Sequence, residues 1–356
     1  MDMSATGREP PQRIPVSLLT GFLGSGKTTL LGRLVRHPGM ADTAVVINEF
    51  GEIGLDHHLV EAVDGEAVLL ASGCLCCTMR DDLAATLCEL HDKRERGEIP
   101  AFRRVVIETT GLADPAPVIH SLLRHAGVRQ AYVLDGVITT VDAVHGGTQL
   151  DRQPECVKQA AVADRLVLTK TDLADPRQTA ALLRRLAHLN PQAEVIVAEQ
   201  GQVDPARLFD VGVLPSRKGL EEQRDEQDGS EGSYLGDSVR HVCGPDCEKA
   251  LGAAHHDADI RTYAFRFEQP LEWEQVSAWL GGLAYFHGDA LLRMKGILNL
   301  RNETAPVAVH AVQHLFHEPV TLSDWPDDDR ASRVVFITRG LDREVIAEAF
   351  AASAMA

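Results

Sequence analysis

A chain of 356 residues has room for two domains, and its formal charge of −17 argues against non-specific binding to nucleic acid. It contains no run of eighteen apolar residues, so no membrane span is predicted; the polar, proline-rich first thirteen residues offer no secretory signal, and the expected location is cytoplasmic. Three of its seven cysteines fall within one tetrapeptide, which suits a reducing compartment and metal binding better than a disulfide framework.

In chain order, the runs Ile14–Leu19, Ala44–Ile47, Ala67–Leu70, Arg104–Ile107, Ala131–Leu134 with Ile138–Val141, Arg165–Leu168 and Glu194–Val197 read as buried strands. They are too short for helices, and several are rich in β-branched residues. Helical periodicity falls between them, over Thr28–Arg36, Met79–Lys93, Ala116–His125 and Arg177–Leu189. This alternation predicts an α/β domain over 14–215, with a mostly parallel sheet of the P-loop kind covered on both faces. Residues 216–259 carry Glu221, Glu222, Asp225, Glu226, Asp228 and Glu231 without apolar periodicity, and read as a flexible acidic linker. Its second half holds His241, Cys243, Cys247, His255 and His256, an equally weighted choice between bland linker residues and a low-specificity metal collector. Over 260–352, Thr262–Phe267, Val307–Val312 and Val334–Thr338 read as strands, and Trp273–Leu280 and Asp342–Ala352 as helices. The expectation there is a smaller α+β domain with an antiparallel sheet. Cys88 and Cys156 read as packing positions. His310, His314 and His317 could gather on one face, but the preferred reading is exposed strand or helix residues.

Gly21–Phe22–Leu23–Gly24–Ser25–Gly26–Lys27–Thr28–Thr29 fits the pattern G-x-x-x-x-G-K-[ST] between a strand and a helix. Gly21, Gly24, Ser25 and Gly26 let backbone N–H groups converge on phosphates, Lys27 reaches the β/γ oxygens, and the Thr28 hydroxyl ligates Mg²⁺. Glu108 ends a buried strand where it could hold that Mg²⁺, and Gly111 could bring its N–H to the γ-phosphate. In Thr169–Lys170–Thr171–Asp172, the Asp172 carboxylate could accept the two guanine donors that adenine lacks, with the Lys170 stem over the ring. GTP is therefore favoured and ATP is the alternative, because Thr169 stands where such elements usually carry an amide.

Gly73–Cys74–Leu75–Cys76–Cys77 offers three thiolates, an incomplete tetrahedral set for Zn²⁺ or Co²⁺ that leaves a position open. Glu49 and Glu52, in Asn48–Glu49–Phe50–Gly51–Glu52, could supply a carboxylate. The other readings of these thiols are buried packing and redox chemistry.

These motifs, in this order, resemble those of the CobW-type metal-chaperone GTPases. Arg293–Met294–Lys295–Gly296 and Ala311–Val312–Gln313 resemble that family's second domain, so the likeness runs from about residue 14 to 350. The resemblance implies a low-turnover GTPase whose nucleotide state governs metal binding and delivery to a client metalloprotein. Relatives of this kind serve zinc homeostasis, cobalt insertion or activation of metalloenzymes. It assigns Lys27, Thr28 and Glu108 to phosphate and Mg²⁺, Asp172 to guanine, and Cys74, Cys76 and Cys77 to the metal. The client is expected on the C-terminal domain, by elimination, and self-association is an open possibility. The competing readings are a zinc buffer with incidental turnover and a GTP switch with a structural metal.

Overall fold

A computed structural model describes residues 13–47, 60–63, 67–70, 75–78, 83–198, 201–209 and 259–354. The acidic linker expected over 216–259 lies outside them except for Asp259, as do Glu49 and Cys74.

The first domain is built on a sheet of nine strands, β1 (Ile14–Gly21), β2 (Thr43–Ile47), β3 (Val60–Val63), β4 (Ala67–Leu70), β5 (Leu75–Thr78), β6 (Arg104–Glu108), β7 (Tyr132–Asp142), β8 (Arg165–Thr169) and β9 (Glu194–Val197). Their order is β3-β4-β5-β2-β6-β1-β7-β8-β9. From β5 to β9 every pairing is parallel, whereas β3 and β4 join as an antiparallel extension at one edge. The central strands Val16, Leu18, Val46, Val105 and Val167 are fully buried because helices cover both faces.

The helices are α1 (Lys27–Leu34), α2 (Leu83–Glu95), α3 (Pro115–Arg124), α4 (Ala126–Ala131), α5 (Gly146–Arg152), α6 (Pro154–Ala161), α7 (Pro176–Leu189) and α8 (Pro205–Leu208). Three of them start alike. Asp114, Asp175 and Asp204 sit at the N-cap and accept an amide N–H, with proline next, where its missing N–H costs nothing. The run read as Ala131–Leu134 and Ile138–Val141 is one strand, β7, interrupted by a register shift against β1. Val16 pairs with Leu134 and Ser17 with Gly136, so Asp135 is the extra residue, and Ser17 Oγ donates to its carboxylate at 2.8 Å.

The second domain is an antiparallel sheet, β10 (Ile260–Phe267), β15 (Ser332–Arg339), β11 (Leu291–Leu298), β12 (Val307–Val312) and β13 (Leu315–Phe316) in that order, with β14 (Val320–Thr321) on β12. One face carries α9 (Trp273–His287) and α10 (Arg343–Ser353) over a core in which Trp279 stacks edge-on with Phe265, Phe336 and Phe350. The other face packs on the first domain. Ile260, Leu292 and Ile337 join a cluster with Leu150, Val157 and Leu186, and Val312 and Leu315 join one with Ile119, Leu122 and Val137.

The Arg293–Met294–Lys295–Gly296 run shows how strand periodicity builds this joint. Met294 points into the aromatic core, while Arg293 and Lys295, two apart, face the first domain. Both cations pair with one carboxylate, Asp164, just before β8, and all three side chains are more than nine-tenths buried. Burial opposes the charge, yet the two cations hold the Asp164 carboxyl far below the usual carboxylate range. At Gly296 a Cβ would lie 3.0 Å from Val334 and 3.1 Å from Val309 and the Arg333 carbonyl, so these neighbours would have to give way.

His310 and His317 were expected to be exposed; instead they lie at this joint, ring centroids 5.4 Å apart, beside Arg293, Lys295 and Asp164. Tertiary packing of β12 against the first domain overrides the polar reading. His314 is exposed at the turn, its ring 5.9 Å from that of His120. Burial first, then the neighbouring cations, hold His310 well below the usual 6.5 and bring His317 down to about 4. An unfolded chain protonates its histidines near 6.5, so acid favours unfolding. The contribution is whole above that value and is lost as pH falls toward about 4. We expect the melting temperature to fall between about pH 7.5 and about pH 5, and to fall less in His317→Gln. Equal slopes for the two proteins would show that the ring is solvated.

Candidate nucleotide and metal site

The phosphate loop lies at the carboxyl ends of the parallel strands. Three of its glycines have positive φ, at Gly21 (141°), Gly24 (73°) and Gly26 (92°), backbone states that a side chain would strain. At Gly21 a Cβ would also collide with Thr140, 2.3 Å from its Oγ1. Ser25 Oγ lies 2.6 Å from that same hydroxyl, and Ser25 N donates to Phe22 O at 3.1 Å, closing the loop on itself. The Lys27 ammonium, almost fully buried, donates to the carbonyls of Gly21 at 2.9 Å and Phe22 at 3.3 Å. It is thus already held over the concave side of the loop at the start of α1, the end of a helix that attracts anions.

Thr28 Oγ1 donates to Glu108 Oε1 at 2.9 Å. The two candidate Mg²⁺ residues, eighty positions apart in sequence, are therefore in direct contact. The donor set fits a hard cation, since a hydroxyl and a carboxylate meet beside a phosphate-binding loop. Thr109 N donates to Leu19 O at 3.0 Å and its hydroxyl to Thr20 at 2.9 Å, fixing the strand end beside the loop. Gly111 lies against the loop so closely that a Cβ would sit 2.7 Å from Leu23 N. Thr29 is exposed on the first turn of α1.

The base-side element follows β8. Thr169 Oγ1 donates to Ser25 O at 2.7 Å and lies 3.2 Å from Val141 O, so this hydroxyl ties the phosphate loop to the strand in the place where an amide was expected. Lys170 takes a left-handed φ of 57° and its ammonium donates to Gly24 O at 2.6 Å. It also pairs at 2.7 Å with the buried carboxylate of Asp142, the last residue of β7. Asp172 is exposed in the turn beyond, two residues on from Lys170. Sequence reasoning missed Asp142. The signal was available, since it is a carboxylate closing a β-branched run, as Glu108 is.

Of the thiol site, Cys74 and Glu49 lie outside the described residues, and Cys76 and Cys77 lie in β5. Register places Cys76 beside Val45 and Cys77 beside Val46 on β2. The last residue of β2, Ile47, is paired with Thr78 on one side and Glu108 on the other. The thiol strand, the chain leading to Glu49 and the Glu108 strand therefore end side by side, with β5 and β6 about 10 Å apart at two strand spacings. Cys156 and Cys88 do not belong to this site. Cys156 is buried in an apolar cluster, its thiol pushed up to about 12 by burial, and Cys88 is half-buried, 3.9 Å from His125 Nδ1.

Known proteins match this chain in both of its domains. A family described as the CobW/HypB/UreG nucleotide-binding domain matches residues 15–197, and one described as the cobalamin synthesis protein CobW C-terminal domain matches 260–354. The zinc chaperone YjiA of Escherichia coli is 34% identical over 338 residues, covering 95% of this chain and 98% of that protein. The zinc-regulated GTPase metalloprotein activator 1 of Schizosaccharomyces pombe is 28% identical over 355 residues, covering 93% and 83%. The crystal structure of Zn(II)-bound YjiA GTPase superposes with a TM-score of 0.71 at 32% identity, over 96% of this chain and 99% of that one. Among the described residues, no helix is long and apolar enough to cross a membrane.

Proposed function

This chain belongs to the CobW family of P-loop GTPases, and on that premise we propose that it is a GTP-hydrolysing zinc carrier whose nucleotide state sets its grip on the metal. The observation that carries this reading is the pairing of Ile47 with both Thr78 and Glu108, which sets Cys77, one residue before Thr78, two strands from the Glu108 strand near its phosphate-side end. The names of the similar proteins, a zinc chaperone and a zinc-regulated GTPase activator, support zinc as cargo, with cobalt as a second metal that thiolate ligands accept.

In this reading Gly21, Gly24, Ser25, Gly26 and Thr29 cradle the phosphates, and Lys27 moves from the Gly21 and Phe22 carbonyls to the β/γ oxygens. Mg²⁺, when bound, neutralises charge that develops on the phosphates. Thr28 and Glu108 are the residues that would hold it, and Gly111 offers its N–H to the γ-phosphate. Cys74, Cys76 and Cys77, with Glu49, hold zinc while the triphosphate orders the segment after β2. Loss of the γ-phosphate relaxes that segment, and the metal passes to a client metalloprotein docked on the C-terminal domain. The protein acts in the cytoplasm, with a GTPase domain over 14–215, a linker over 216–259 and the second domain over 260–352.

Asp172 reads guanine, with Thr169 and Lys170 fixing the element that carries it. Replacing it by Asn removes a charged acceptor, so GTP affinity should fall by about 10- to 100-fold, the equivalent of a charge-assisted hydrogen bond. Competition binding with GTP and ATP reads this out. An unchanged preference would move base recognition elsewhere.

The central test is Zn²⁺ affinity by competition with a chromophoric chelator, in the presence of a GTP analogue, GDP or no nucleotide. A shift of about tenfold or more between nucleotide states, or about 1.4 kcal/mol of coupling, is expected, and it should vanish in a Cys74/Cys76/Cys77→Ser variant. Equal affinity in all three states would refute nucleotide-gated carriage and leave a buffer or a structural metal.

A further inference from the structure

The segment after Glu108 is gripped from outside the phosphate loop by two consecutive residues of α6. Gln159 is fully buried, and its Nε2 donates to the carbonyls of Ala113 at 3.0 Å and Gly111 at 3.3 Å. Its own backbone carbonyl accepts the Thr139 hydroxyl at 2.8 Å, anchoring it to β7 one residue before Thr140, which touches Ser25 of the loop. Next to it, Lys158 pairs at 2.9 Å with Asp114, the N-cap of α3. Within the segment, Ala113 N donates to Thr110 O at 3.1 Å and closes a turn. Gly111 sits in that turn against Leu23 of the phosphate loop.

We propose that Gln159 is a positioning residue that sets Gly111 for the γ-phosphate and so lets this chain tell GTP from GDP. This rests on the reading above, in which the loop holds a nucleoside triphosphate. A carboxamide offers two N–H donors on one nitrogen, enough to hold two carbonyls of one turn at once. With the carbonyls of Gly111 and Ala113 fixed, the peptides that follow Gly111 cannot rotate independently, and the corner of the turn stays against the loop. Removing the grip would leave the buried Gly111 carbonyl and the part-buried Ala113 carbonyl without this donor, and the turn would shift so that the Gly111 carbonyl finds another. In that reading the loop itself holds the α- and β-phosphates. The loss therefore falls on the triphosphate alone.

Gln159→Met keeps the side-chain volume and removes both donors. With zinc absent, displacement of a fluorescent guanine nucleotide should show affinity for a non-hydrolysable GTP analogue falling about tenfold, with GDP within about twofold. Lys158→Met opens no buried cavity because the side chain is only half-buried, and should act in the same direction by about threefold. It decides the matter if Gln159→Met does not fold. Unchanged affinities, or equal losses for the GTP analogue and GDP, in the folded variants would overturn the proposal. Because no metal enters this assay, such a result would leave nucleotide-gated zinc carriage to be judged separately by the chelator competition.

Discussion

Replacing Asp164 by Asn is expected to cost about 3–5 kcal/mol of folding stability, the range for removing one partner from a buried ion cluster. The reason is numerical. Arg293 and Lys295 share this single carboxylate, and both are nearly inaccessible to water. Burial already pulls Lys295 below its ordinary pKa; with an amide in place of the carboxylate, both cations face a low-dielectric joint without a counter-charge. Asp164 also accepts the Val137 N–H at 2.9 Å through its other oxygen, and an amide, with one acceptor oxygen, cannot serve both that N–H and the cations. Tryptophan fluorescence in a urea titration follows the event, because all three tryptophans, Trp273, Trp279 and Trp325, lie in the second domain. Removing the exposed partner of another contact across the joint, Arg129→Ala opposite Glu318, should cost less than about 1 kcal/mol. A loss of similar size for the two variants would mean that water reaches Arg293 and Lys295 in solution.

The second large effect is at Lys27. Lys27→Ala should lower the rate of GTP hydrolysis by about 10²- to 10³-fold, the usual consequence of deleting one preorganised group that meets developing charge. The ammonium sits on the carbonyls of the loop it serves, so it reaches the phosphates without reorganising the backbone. Lys27→Arg should not rescue it. A planar guanidinium does not reproduce the contacts of a compact ammonium with the Gly21 and Phe22 carbonyls, and the two residues bind phosphate differently. Single-turnover hydrolysis with nucleotide in excess of its dissociation constant separates chemistry from binding. A variant within threefold of the parent would remove Lys27 from the chemistry.

Much of this was legible in the sequence because it depends on local chemistry. The loop glycines announce themselves, since Gly21, Gly24 and Gly26 occupy backbone states that other residues avoid. Strands β2, β6, β8 and β9 were found to within a residue at either end; the first three are largely buried parallel strands, each a short apolar run, and edge strand β9 keeps the same short β-branched pattern. The Asp-Pro pairs at the starts of α3 and α7 likewise mark helix N-termini without help from the rest of the fold.

Other features left no such trace. The strand β11 was missed because Arg293 and Lys295 interrupt its apolar pattern, and only the first domain, by supplying Asp164, makes burying them affordable. The helix α6 escaped notice because its eight residues bury a glutamine, whose partners lie more than forty positions away. His310 and His317 looked like surface residues until β12 and the turn after it were packed against the first domain.

The sequence by itself determined the phosphate loop, the parallel sheet that presents it, the crowded thiols and the family to which they belong. These rest on glycine conformational freedom, apolar periodicity and residue chemistry, all of which act within a few positions. Tertiary structure alone decided that Thr28 meets Glu108, that Thr169 replaces an amide by tying Ser25 to β8, and that Lys170 rests on Asp142. It also decided that one buried carboxylate of the first domain pairs with two cations of the second. Each of those is a contact between distant segments, and whether a polar side chain is buried, paired or wet depends on what the rest of the chain brings to it.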